Sequence, residues 1–456
     1  MRMTSRIAAC ALVLLAALPP AAHGLDLRPQ IDPLARPLLE DGLVVGLVVG
    51  IVQDGQTQVI AYGETAKGSG IAPRGDTVYE IGSISKVFTS VLLASMVLEG
   101  RMKLDDPVQK YLPASVRVPV ANGTPITLEH LATQSSGLPR MPDNFAPADA
   151  SNPYADYSVA EMYAFLNGHA LRRPPGRYEY SNYAMGLLGH VLALQAGETY
   201  EELLIERIAA PLGMRDTRVT LDVGQRRRLA PPYDASLRPE RNWDFQALVG
   251  AGGIRSTCDD LLRFVEANLA ADGQPLAQAL QLAQRKRDAV KGGPAMGLGW
   301  HIAEDGVSLW HNGMTGGYHG WIAVAPGRGV GVVVLANTAT MRVSELGNQV
   351  ARVALGLDAA PLRRHRAIDV DPAVLAPFAG SYAVTPKFIL TVTVEDGKLM
   401  VQATGQEKFQ VFAESKTEYF YKVVDAQISF VPGSDGKTDK LILHQGGRDL
   451  EAVRQE

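Results

Sequence analysis

The sequence predicts a mixed α/β (α+β) fold: one antiparallel sheet flanked by helices, an inserted helical subdomain, and a small C-terminal antiparallel β-barrel or sandwich. Three observations carry this. A strand hairpin comes early. Several strands come late, with helices between. After a basic, proline-containing stretch the chain becomes strand-rich again. With 456 residues there is length for two or three domains. At 46 % hydrophobic and 20 % charged residues the chain can bury large cores.

The early hairpin is residues 43–53 and 57–63. "GLVVGLVVGIV" is apolar at almost every position, as a strand buried on both faces is, and Asp54-Gly55 supplies the turn. A helix is expected over 83–99, with Val87, Val91, Leu92, Met96 and Val97 at helical spacing and Gly100 as its stop. Further helices are expected near 127–134, 158–167, 182–196, 199–208 and 257–270. Between 297 and 338, strand segments separated by glycine-rich turns read as an antiparallel meander, closed by a helix over 342–355. Residues 357–372, "LDAAPLRRHRAIDVDP", read as a linker whose cluster Arg363, Arg364, His365 and Arg366 is solvated. Beyond it, a hairpin at Asp396-Gly397 opens the last β region. The expected organisation is 1–24, 25–358, a linker over 359–372, and 373–456.

Residues 1–24 have a positive start at Arg2 and Arg6, an apolar run from Ile7 to Leu18, and small residues around Ala22 and Gly24. This is the layout of a cleaved secretory signal, too short for a comfortable membrane span. A periplasmic or secreted protein without a stable membrane anchor is expected. Its removal takes away two arginines and no acid, so the formal charge moves from −4 to −6. That balance argues against a nucleic-acid surface. Cys10 leaves with the signal. Cys258 then stands alone, at the start of an amphipathic helix, and is expected to be a buried small apolar residue.

The chemistry lies in "EIGSISKVFTS". Ser83 and Lys86 are three apart, which puts both on one face of a helix. A serine hydroxyl needs a base to become a nucleophile, and a buried lysine can lose its proton because desolvation disfavours the charged form. Ser85 and Ser90 face elsewhere. The pattern alone is weak, since Ser434 and Lys437 repeat it in a turn between strands. Partners make it specific. Tyr180-Ser181-Asn182 offers a phenol able to relay protons and an amide with both a donor and an acceptor. His311-Asn312-Gly313 ends a strand. Gly313 would leave room for substrate along the strand edge, and the N–H of Met314 could face an oxyanion. Tyr178, Tyr183, His301 and His319 are expected to be packing residues.

In this order the three elements resemble those of the class C β-lactamase and DD-peptidase family of serine hydrolases. "GRMKLDDPVQKYLP", "ITLEHLATQSSGLP", "PLGMRDT" and "AGGIRSTCDDLLRF" look like further family blocks, so the resemblance covers about residues 40–350. It implies an acyl-enzyme on Ser83, proton handling by Lys86 and Tyr180, an oxyanion site of the Ser83 and Met314 N–H groups, and substrate binding by Asn182, His311 and Gly313. No metal or organic cofactor is implied. The substrate would be a β-lactam, a D-amino-acid peptide or an ester. In the family's third motif lysine and threonine usually stand where His311 and Asn312 stand here. The histidine form is similar to esterase, D-aminopeptidase and D-peptidase members, which places a carboxylesterase beside the amide hydrolase. A penicillin-binding sensor that never turns over is the third reading. The C-terminal β domain resembles the barrel of some peptidase relatives, where it limits access or supports oligomers.

Overall fold

The computed structural model describes residues 24–270, 274–433, 438–445 and 448–455. The predicted signal segment, apart from Gly24, and the second Ser-x-x-Lys match at 434–437 lie outside them. Asp54 and Gly55 both take positive φ, 50° and 75°, as a tight hairpin between twisted strands requires. They join β1 (Gly46–Gln53) to β2 (Gln56–Gly63). The late strands are β3 (Ala295–Met296), β4 (His301–Ile302), β5 (Leu309–Met314), β6 (His319–Ala325) and β7 (Val330–Ala336). Among the described residues these seven form one antiparallel sheet in the order β2-β1-β7-β6-β5-β4-β3. Early and late strands thus meet at β1 and β7, where Val49 pairs with Val334.

Alternation along β1 splits the core in two. Val48 and Val52 join the larger cluster, while Leu47, Val49 and Ile51 join a second on the opposite face. Helices cover both. Cys258–Leu269 presses so closely on β1 that a Cβ on Gly50 would stand 2.6 Å from Cys258 Sγ. Cys258 is free and fully buried, and burial pushes its thiol pKa up, so it packs as an inert apolar group. The other face carries Arg342–Ala354 and Arg28–Glu40. The latter was not anticipated from sequence, because Pro33 and Pro37 lie inside it. Burial of Ile31, Leu34, Ala35 and Leu38 overrides them, at about 1.5–3 kcal/mol for a fully buried large aliphatic side chain.

The C-terminal region is a closed eight-stranded antiparallel barrel rather than a sandwich. Its first strand, Gly380–Thr385, pairs with its last, Arg448–Arg454, through Tyr382 and Arg454. Leu390, Val392, Ile428, Phe430 and Leu441 fill the interior. The basic stretch before it has no regular secondary structure to Asp371; Arg363, Arg364 and Arg366 are exposed, as expected of a linker, while His365 is buried. Arg364 pairs with Asp41, His365 is buried against Glu414 and stacked on Phe420, and Arg363 donates to Gln427. Acidic and amide partners distant in sequence anchor this exposed stretch. The barrel is also tied to the loop before Arg342–Ala354. Thr340 Oγ1 donates to the Lys422 carbonyl at 2.7 Å, and the Met341 N–H to that of Val423 at 2.8 Å. Among the described residues no helix is long and apolar enough to cross a membrane.

Candidate active site

The expected 83–99 helix begins one turn differently. Gly82–Ile84 is a 3-10 turn, and the α-helix runs over Ser85–Leu98. Ser83 therefore sits on the tighter turn, and Lys86 on the first α-turn just below it. Lys86 Nζ lies 2.7 Å from Ser83 Oγ and 2.7 Å from the Ala251 carbonyl oxygen. Lys86 is fully buried. Desolvation, and secondarily the charge of Arg140, hold its pKa well below the usual lysine value. Burial thus disfavours the charged form of an amine that sits at hydrogen-bond distance from a serine.

Tyr180 completes the cluster. Its hydroxyl is hydrogen-bonded with Ser83, and Lys86 Nζ stands 5.0 Å from its ring centroid. A nearby cation by itself would ease loss of the phenol proton. Burial instead pushes the phenol pKa up, and neither the Ser83 bond nor Arg140 reverses this. Tyr180 is a phenol at neutral pH, able to donate a proton.

Gly313 plays a different part from the one its spacing suggested. A Cβ there would stand 1.9 Å from the Ile81 carbonyl and 2.7 Å from Ser83 N. The glycine leaves room for the serine turn, not for ligand. Across the contact, a Cβ on Gly82 would stand 2.7 Å from Met314 N, and Gly82 has φ of 49°. The two glycines let the N–H groups of Ser83 and Met314 come close together at the end of β5.

His311 is buried on β5, its ring 6.5 Å from that of Tyr180 and 5.1 Å from that of His301. Its Nδ1 lies 2.5 Å from the Asn312 carbonyl, which can only accept, so Nδ1 carries the proton. Burial, then the neighbouring His301 and Lys86, push its pKa well below 6.5. It is neutral at pH 7. Asn182 opens the helix Asn182–Ala196, donating Nδ2 to the Tyr154 hydroxyl at 3.1 Å while its buried Oδ1 has no partner. Ser83, Asn182, Met314, Tyr154, Trp243, Phe245 and Ala251 line one cleft.

The packing residues behave as such. Tyr183 is buried and donates to the Met162 carbonyl, His319 faces Ser344, and Ser85 Oγ accepts from Ile254 N. His301 is the exception, because it is drawn into contact with His311. Sequence reasoning missed Tyr154, Trp243, Ala251 and Arg140. No local pattern marks them, since Ala251 reaches Lys86 across 165 positions.

Comparisons with known proteins identify the family of the chain. The Beta-lactamase family model matches residues 31–355, and the Domain of unknown function (DUF3471) model matches 364–454. A D-alanyl-D-alanine-carboxypeptidase/endopeptidase, AmpH, of Escherichia coli (strain K12) is 34 % identical over 311 residues, 62 % of this chain and 77 % of that protein. A beta-lactamase of Pseudomonas fluorescens is 28 % identical over 348 residues, 68 % of this chain and 94 % of that one. The crystal structure of a beta-lactamase/D-alanine carboxypeptidase from Yersinia pestis, complexed with citrate, superposes with a TM-score of 0.63 at 28 % identity, covering 72 % of this chain and 98 % of that one.

Proposed function

Because the chain belongs to the beta-lactamase family of serine hydrolases, we propose that it is an exported enzyme that cleaves an amide, a β-lactam or D-amino-acid peptide, through an acyl-enzyme on Ser83. One observation carries the reading: buried Lys86 Nζ stands 2.7 Å from Ser83 Oγ with its pKa depressed by desolvation. Lys86 takes the Ser83 proton as Oγ attacks the carbonyl. The N–H groups of Ser83 and Met314 receive the oxyanion. Tyr180, a phenol in contact with Ser83, passes its proton to the leaving amine and regains one from Lys86, which holds the Ser83 proton. The unpartnered Oδ1 of Asn182 accepts from an amide N–H of the acyl group. Water then attacks the acyl-enzyme, returning its proton through the same pair. Export is supported by the N-terminal sequence pattern.

His311 favours a second reading. It is neutral where the resemblance would place a fixed cation, which weakens the hold on a substrate carboxylate and suits a carboxylesterase. The test is intact-protein mass after mixing with a penicillin, with Ser83→Ala as control. A transient adduct on the wild type with product accumulating supports hydrolysis, and a long-lived adduct supports a penicillin-sensitive peptidase. No adduct, with turnover of short acyl esters, selects the esterase. An equal adduct on Ser83→Ala removes Ser83 as nucleophile.

A further inference from the structure

We infer that Ser344 is a positioning residue for the reaction: it sets the place of the Met314 N–H, and the C-terminal barrel acts on the nucleophile's site through it. This rests on the hydrolase reading above. Among the described residues, the last part of β5 has a strand partner on one edge only. β4 pairs with Leu309 and Trp310 and stops there, while β6 goes on pairing as far as Met314. The other edge is where the Met314 N–H meets the Ser83 turn. A donor on a strand end held from one side keeps its place only if side chains behind it are locked.

Ser344 supplies that lock. Side chains alternate along β5, so Asn312 points to the sheet face opposite His311 and Gly313. There its Nδ2 donates to Ser344 Oγ at 3.2 Å, with a weaker contact to Met341 Sδ at 3.9 Å. On β6, His319 stands directly opposite Met314, and its Nε2 lies 2.7 Å from the same Ser344 Oγ. One hydroxyl thus ties down two neighbours of Met314, one earlier along the strand and one across the ladder.

The barrel holds Ser344 in turn. Ser344 lies in the first turn of the helix Arg342–Ala354. The residues just before it are bound to the barrel: Thr340 Oγ1 donates to the Lys422 carbonyl, Met341 N to that of Val423, and Arg342 stands 3.8 Å from Asp425. The start of this helix therefore bridges the barrel and the strand that carries the oxyanion donor.

The test compares phenyl acetate with phenyl thionoacetate, in which sulfur replaces the carbonyl oxygen. Either acylates a serine hydrolase whether its natural substrate is an amide or an ester. An N–H donor stabilises a developing oxyanion strongly and the poorly accepting sulfur weakly, so the ratio of the two kcat/KM values reads where the donor stands rather than whether the fold is intact. Ser344→Ala should lower kcat/KM about 10-fold on the oxygen ester, part of the about 10²–10³-fold cost of losing a donor outright, and less than about threefold on the thiono ester. Ser344→Thr, which keeps the hydroxyl, should bring the ratio back toward that of the wild type. Thr340→Val, which removes the bond to Lys422, should lower the same ratio, and its effect should shrink once Ser344 is alanine. Equal losses on both esters, no loss in Ser344→Ala, or no recovery in Ser344→Thr would overturn Ser344 as a positioning residue. A Thr340→Val variant without effect, or with one as large beside Ser344→Ala as alone, would overturn the barrel's part. Wild type that turns over neither ester in a Ser83-dependent way would overturn the hydrolase reading itself, and this inference with it.

Discussion

Lys86 Nζ lies between Ser83 Oγ and the Ala251 carbonyl, 2.7 Å from each. The carbonyl uses one N–H of the amine and so orients its lone pair. Lys86→Met should lower kcat/KM by about 10³-fold, the usual scale for loss of a positioned base. The same variant should be more stable than wild type at neutral pH. A lysine whose folded pKa is depressed contributes stability above its unfolded value of 10.5 and loses it as pH falls toward the folded value. The stability gap should therefore narrow as pH rises toward 10.5. Chemical denaturation at pH 7 and pH 10 reads it, and a gap that widens with pH would contradict the assignment.

Buried neutral histidines predict acid sensitivity. Burial pushes His301 down to about 4 and His319 to about 3. Their stabilising effect is full above pH 6.5 and is lost as pH falls through the window down to those values, because the unfolded chain takes up protons first. The unfolding midpoint should fall between pH 6.5 and 4. His319→Gln, which keeps a polar group facing Ser344, should flatten that slope. An unchanged slope would show that carboxylates dominate it.

Gly313→Ala should separate the strand from the nucleophile's turn. The added methyl would stand 1.9 Å from the Ile81 carbonyl, and backbone cannot swing aside as a side-chain tip does. Activity should drop by more than about 100-fold with a stability cost of about 1–3 kcal/mol. A variant of normal activity would show that β5 and the Ser83 turn are less tightly engaged.

Arg342 is buried at the junction of sheet and barrel, 2.6 Å from Glu345 and 3.8 Å from Asp425. Arg342→Met leaves the half-buried Glu345 without its cation, a loss that should stay below the about 3–5 kcal/mol of a fully buried pair. Burial already raises Glu345 to about 7, and loss of the arginine raises it further. A carboxyl with a raised folded pKa keeps its stability at low pH and loses it as pH rises, so the deficit should be larger at pH 8 than at pH 5. Calorimetry at both values checks the sign.

Legibility followed the range of the interactions. Asp54-Gly55 and Asp396-Gly397 were readable because a tight turn is decided by its own two residues, which take positive φ. Ser83 and Lys86 were readable because helical spacing alone brings them together. The helix Arg28–Glu40 was not, because its internal prolines argue against it locally and only the sheet's second core outweighs them. Nor was the docking of His365, whose partners Glu414 and Asp425 lie at least 49 positions away. Arg140 and Tyr154 belong to the same class: nothing in their neighbourhoods along the chain announces the Tyr180 ring or the Asn182 amide.

Gly82 and Gly313 lie where the Ser83 turn meets β5: a Cβ on Gly82 would strike the Met314 backbone, and one on Gly313 the Ile81 carbonyl and Ser83 N. For evolution this makes the centre of the site a fixed point. Neither position has a neutral neighbour to drift into, so the attacking atom and its two N–H groups cannot be adjusted gradually. Change is confined to the ring of side chains around them, Tyr154, Trp243 and His311, where a single replacement alters what is bound while the chemistry stays where it is. A fold built this way diversifies by substrate first and by reaction last.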